Sequence, residues 1–213
     1  MLRYRLRNIL LLIIVICFIF GCGSKVSRTI IPDYDKKGIR LVALLPVKNK
    51  TNDTRAAQIL RRAILEELYF KGYPKIPLQV VDDKLTPICG ESTACADKNV
   101  PPEAVGEILG VDAVMCCTLA EWKTSFIFVY APTTVSVFFE LRSAKTGETL
   151  WKTSYKVVKR DYDFTEKGLE MKSCETSELA VHEIVDKAMS TLPNSPDFPG
   201  GSPPKKRNFL GLW

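Results

Sequence analysis

Few residues in this chain have the type and spacing to do chemistry, and cysteines lead them. Cys89 and Cys95 enclose five residues, Gly-Glu-Ser-Thr-Ala, pliable enough to bring two sulfurs together, so a local disulfide is expected there. Cys116 and Cys117 are adjacent in an apolar run. In a strand they point to opposite faces and do not readily bond to each other, and they read as two small buried hydrophobes. No Cys-x-x-Cys spacing occurs, which disfavours a thiol redox enzyme. The single histidine, His182, lies at helical spacing from Leu179 and Val185 and reads as an ordinary helix residue. One histidine cannot make a His-x-x-x-His metal pair, and no Gly-x-Ser-x-Gly elbow is present. Asp82 and Asp83 read as a solvated turn, with a cation site the weaker alternative. The segment Val47 to Asp53 sits where a phosphate loop would sit, yet it holds no glycine. Asn49, Thr51 and Asp53 therefore read as turn and cap residues. No catalytic residue, metal or cofactor is expected.

Cys22 stands apart. Arg3, Arg5 and Arg7 make a basic start, Ile9 to Phe20 is apolar throughout, and Gly21-Cys22 follows. The order is that of a secretory signal, and the apolar run is shorter than the roughly 20 residues a spanning helix needs. The Gly-Cys ending resembles the lipobox of bacterial lipoproteins, whose cysteine thiol is diacylated before cleavage. Residues 1–21 are then a signal peptide cut after Gly21, and Cys22 carries lipid such as palmitate. Gly23, at the second mature position, is not the aspartate that retains many lipoproteins in the inner membrane. The expected place is the cell outer membrane, lipid-anchored and facing the periplasm, with the inner membrane as the alternative. Five cysteines remain beyond Cys22, an odd number, so at least one is free or pairs between chains.

These residues need a scaffold, and about 190 residues after the signal suffice for one domain with a real core. The signal removes three of 30 basic residues, leaving a net charge of +3 against 24 acidic ones instead of +6. No basic stripe with interleaved aromatics appears, so no nucleic acid is expected as partner. No internal repeat holds a period. Residues 22–38 are polar and read as a tether. Ile39 to Val47 reads as a strand covered on both faces. The helix after it carries Ala57, Leu60, Ile64 and Leu68 on one face, with Asn52 or Asp53 as cap and Gly72 as stop. Ile76 to Val81 is a second strand candidate, and Asp82 to Val100 reads as loop-rich. Pro101-Pro102-Glu103 opens a short helix closed by Gly110. Val111 to Leu119 reads as a central strand. Thr133 to Arg142 and Thr149 to Val158 alternate apolar and polar residues around a tight turn and predict an antiparallel hairpin. A last helix spans about Cys174 to Leu192. Residues 193–213, rich in Pro, Gly and Ser, read as an unstructured tail. The class is α/β: a single domain over 39–192, a mixed sheet with central strands, a C-terminal antiparallel hairpin and flanking helices.

Three segments then resemble one family: Leu44-Leu45-Pro46-Val47-Lys48-Asn49-Lys50-Thr51, Val100-Pro101-Pro102-Glu103 with Ile108-Leu109-Gly110-Val111-Asp112-Ala113-Val114, and Thr146-Gly147-Glu148-Thr149-Leu150-Trp151. They resemble, over roughly Arg40 to Tyr155, the lipoprotein family of unknown function typified by a neisserial genome-derived surface antigen. The family's fold is similar to the TolB N-terminal domain and to CsgG. The resemblance implies a non-catalytic, lipid-anchored binding and assembly component of a cell-envelope transport or secretion complex. Its partners would be the membrane, other envelope lipoproteins or secretion components, and further copies of itself. A regulator of a cell-wall synthase is the alternative within that class, and a hydrolase or thiol enzyme the rival outside it. The family supplies no catalytic residue.

Overall fold

The structure is a computed structural model and describes residues 27–90 and 100–198. The signal, Cys22, Cys95 and residues 199–213 lie outside the described residues. In chain order the elements are β1 (Ser27–Ile30), a 3-10 turn (Asp35–Lys37), β2 (Val42–Leu44), β3 (Lys48–Asn49), α1 (Thr54–Phe70), α2 (Leu78–Cys89), α3 (Pro102–Leu109), β4 (Ala113–Thr124), β5 (Tyr130–Ser143), β6 (Thr149–Tyr162) and α4 (Glu166–Met189). The sheet runs β1-β6-β5-β4-β2, and β3 also pairs with β4. β2 and β3 lie parallel to β4, while β1, β5 and β6 add antiparallel pairs. A mixed α/β single domain is the outcome.

Both sheet faces are used, unequally. α1 and α4 cover one face along its length. Met115, Cys117 and Leu119 of β4, Val137 and Phe139 of β5, and Trp151 of β6 meet Leu60, Ile64, Val181 and Ile184 there. Trp151 is fully buried, its ring tilted against Phe139 at 6.4 Å, and its Nε1 donates to Thr191 Oγ1 at 3.2 Å. That bond lets an indole enter a dry core without an orphaned N–H. On the other face α2 and α3 cover only the β2 side, where Val81, Leu85, Cys89 and Val105 pack on Ala43, Leu45 and Val114. Gly106 permits this: a Cβ there would meet the Ala144 Cβ at 2.6 Å, so α3 rests directly on the β5–β6 turn.

Local chemistry explains most boundaries. Asp53 caps α1, its Oδ1 accepting from the N–H groups of Arg55 (2.9 Å) and Ala56 (3.1 Å). Asp112 was missed as a structural residue. Its Oδ2 accepts from the N–H groups of Arg40 and Leu41 at 3.0 Å each, tying the start of β2 to β4.

Four expectations are corrected. The tether over 22–38 is too long, because Ser27–Ile30 is an edge strand on β6 and the Tyr34 hydroxyl meets the Tyr73 hydroxyl at 2.9 Å in a buried contact. The strand expected over Ile76 to Val81 and the first part of the loop expected over Asp82 to Val100 are instead one helix, α2 (Leu78–Cys89), started after Pro77. Val81, Leu85 and Cys89, four apart, share its buried face. The last helix begins at Glu166, capped by the Thr165 hydroxyl, well before Cys174. The tail does not begin at Pro193: the Tyr73 hydroxyl donates to the Pro193 carbonyl (3.0 Å) and the Ser195 N–H to the Lys71 carbonyl (2.9 Å). Asp197 pairs with Arg40, and Phe198 lies against Gly72.

Candidate functional surface

Because α2 and α3 stop short, the face of β4, β5, β6 and β1 away from α1 and α4 stays open. The pleat places Cys116, Glu140, Lys152 and Thr29 in one row across it, since Cys116 pairs with Glu140, Glu140 with Lys152, and Lys152 with Thr29. The next row holds Thr118, Phe138 and Ser154. Together they line a shallow depression of about 380 Å³. Phe138 is half exposed at its centre. Glu140 accepts from the Thr149 hydroxyl at 2.5 Å. Farther along, Lys156 reaches Glu121 at 2.7 Å.

This surface offers hydrogen-bond donors and acceptors, one charge of each sign and an aromatic ring. Its one thiol is unsuited to attack: burial, and then the nearby Glu140 carboxylate, push Cys116 up to about 11. It stays protonated at neutral pH, and the thiolate is the nucleophilic form. Cys117 points into the opposite core, where burial raises it as well. The two thiols thus lie on opposite faces and are both free, as is Cys174, exposed on α4. Cys89 is buried and disulfide-bonded, while Cys95, its expected partner, lies outside the described residues.

The remaining sequence candidates do not converge on the depression. His182 is exposed on α4. Asp82 is not in a solvated turn, which corrects that expectation. It sits on α2 and takes a two-pronged ion pair from Arg61 of α1 (2.8 and 2.6 Å), while Arg61 also donates to the Leu44 carbonyl at 3.1 Å. Asn49 Oδ1 accepts from the Thr51 N–H (2.9 Å) and hydroxyl (2.7 Å), and Asn49 Nδ2 donates to the Asp53 carbonyl (2.8 Å). The loop is therefore closed on itself. Among the described residues no group of three or more His, Cys, Asp or Glu side chains could hold a metal, and no helix is long and apolar enough to cross a membrane. Sequence reasoning missed the open face because it is a product of cross-strand register. The alternation of Phe138, Glu140 and Arg142 against Val137, Phe139 and Leu141 was its only trace.

Comparison with known proteins places the chain. A lipoprotein of Neisseria meningitidis serogroup B is 27% identical over 128 residues, covering 58% of this chain and 59% of that relative's length. The match therefore spans less than two thirds of the relative. Among solved structures, the N. meningitidis lipoprotein GNA1162 aligns with a TM-score of 0.53 at 24% identity, covering 66% of this chain and 96% of that one. A PelC dodecamer from Paraburkholderia phytofirmans aligns with a TM-score of 0.50 at 14% identity, covering 78% of this chain and 96% of that one. At these identities the structures speak to the fold alone. The family model for GNA1162-like lipoproteins matches residues 33–195, from just before Tyr34 to the docked Ser195, and the chain belongs to that family.

Proposed function

We propose that this protein is a non-catalytic binding and assembly component of a cell-envelope transport or secretion complex. It is held by lipid on Cys22, faces the periplasm from the outer membrane, and works through other envelope proteins or further copies of itself. Membership of a lipoprotein family and the Arg3-to-Cys22 pattern support the anchor. The observation that carries the contact role is the open sheet face. Its half-exposed Phe138 stands among Thr118, Ser154, Glu140 and Lys152, with no helix of the described residues over them. An aromatic ring in a ring of polar groups is the composition that protein contacts favour.

Complementation of a deletion strain tests the reading. Phe138→Asp with Lys152→Glu changes side chains on the open face, so the melting temperature should move little while complementation is lost. A soluble form without residues 1–22 should stay folded and also fail to complement. Among His182, Asp82, Asp83, Cys116 and Cys117, no single substitution should abolish function without also lowering stability. One that leaves the melt intact and removes function would put chemistry at that residue and overturn the non-catalytic reading.

A further inference from the structure

The β4–β5 hairpin ends in an unusual way. Ile127 and Tyr130 exchange backbone hydrogen bonds (2.8 and 2.9 Å) around a two-residue apex of Phe128 and Val129. Phe128 has a φ of +52°, the only positive value outside glycine among the described residues. Such apices favour Gly, Asn or Asp, because a Cβ is strained there. Here the strained position holds a phenyl ring that is 96% exposed. Phe126, Ile127 and Val129 beside it are exposed as well. The β6–α4 connection joins the same end, since the Asp163 N–H donates to the Val129 carbonyl at 3.1 Å and the Tyr162 ring lies 5.1 Å from that of Tyr130. It adds Phe164, 97% exposed. One end of the sheet thus gathers exposed apolar side chains with no cover among the described residues, beside the Asp163–Lys172 ion pair (2.7 Å).

Strand direction indicates what meets it. β1 is antiparallel to β6, with Ile30 beside Trp151 and Ser27 beside Ser154. The chain therefore enters β1 from the side of Tyr162, the tip end. Ser154 precedes Tyr162 by eight residues, roughly 26 Å of strand. Cys22 precedes Ser27 by only five, which span at most about 17 Å. A lipid on Cys22 thus holds the domain close to the bilayer and draws on it from the tip end. Aromatic and aliphatic side chains partition into the boundary between headgroups and acyl chains. We propose that the apex around Phe128, together with Phe164, inserts into the bilayer that holds the Cys22 lipid, and so sets the domain upright with its open face available from the side. The inference rests on the lipid anchor and adds an orientation to it.

The test uses the full lipidated protein reconstituted in vesicles of phosphatidylethanolamine with a minority of phosphatidylglycerol, the acyl chains brominated. Single tryptophans replace Phe128, Phe164, and Lys145 in the exposed β5–β6 turn at the opposite end. None of the three positions is buried, and each variant's melt is compared with that of the parent. Bromolipid should quench Phe128→Trp and Phe164→Trp beyond the unsubstituted protein with its three native tryptophans, and Lys145→Trp no further than that protein. Equal quenching at both ends would overturn the orientation. A blue-shifted emission at 128 that bromolipid leaves untouched would mean the tip is covered by protein, such as a second copy, and would also overturn it. Mass spectrometry of the same sample separates the premises: an unmodified Cys22 thiol sinks the anchor, whereas acylated Cys22 with an unquenched tip sinks the insertion alone.

Discussion

Arg61→Met gives the sharpest test of how the helices are held. Arg61 lies on α1, on one side of the sheet, and Asp82 on α2, on the other, so their ion pair closes around the β2 edge, where the Leu44 carbonyl takes the guanidinium's third bond. Their side chains are only 11% and 24% exposed. A hydrogen bond to a charged group contributes about 1.5–3 kcal/mol, and breaking a fully buried pair costs about 3–5 kcal/mol. Partial solvation of Asp82 pulls the expected loss for Arg61→Met to about 2–3 kcal/mol. In a domain of this size that lowers the melting temperature by about 4–12 °C. The pair is not ideal, because the Arg61 Nε is buried without a hydrogen-bond partner. Replacing both members, Arg61→Met with Asp82→Leu, should therefore recover most of the loss, as apolar replacement of buried pairs often does. Calorimetric or circular-dichroism melts of the two single variants and the double variant give the coupling directly. Strictly additive losses, or a loss below about 0.5 kcal/mol for Arg61→Met, would show that the pair behaves as a solvated surface contact and refute the clamp.

Three further outcomes follow from the same contacts. A chain stopped after Leu192 should lose about 2–3 kcal/mol, from two backbone-carbonyl hydrogen bonds and the Phe198 packing, whereas one stopped after Phe198 should melt like the full protein. Non-reducing peptide mapping of periplasm-made protein should find Cys89 linked to Cys95, a short loop worth about 2 kcal/mol; alkylation of both as free thiols would refute it. Stability should also fall in acid. Lys159 and then Lys187 hold the Glu183 carboxyl below its usual range, and Lys172 with the Thr165 N–H and hydroxyl lowers Asp163 to about 2. Groups depressed in the folded state stabilise it above their unfolded values and lose that contribution as pH falls through the folded ones. The decline should therefore set in below about pH 4.5, and Glu183→Gln should flatten its upper part in a pH series of melts.

Much of the fold was legible from residue pattern because it depends on local rules. The alternation in Thr133 to Arg142 and Thr149 to Val158 located the hairpin, since side chains of one strand must choose between core and solvent. Asp53 as cap, Gly110 as stop and the opposed thiols of Cys116 and Cys117 follow from geometry within a few residues. The motifs Leu44 to Thr51, Val100 to Val114 and Thr146 to Trp151 carried the family, and the first of them includes Asn49 and Thr51, whose contacts close the loop. What failed was whatever depends on distant partners. Ser27–Ile30 looks like a tether because only the β6 edge makes it a strand, and Pro193 to Phe198 looks like a tail because only Tyr73, Lys71 and Gly72 hold it. α2 was hidden by Val80 and Val81, β-branched residues that favour strands, until packing on Ala43 and Leu45 chose the helical spacing of Val81, Leu85 and Cys89. The candidate surface was the least legible part. Thr29, Cys116, Glu140 and Lys152 are scattered along the chain, and the order β1-β6-β5-β4 alone sets them in one row.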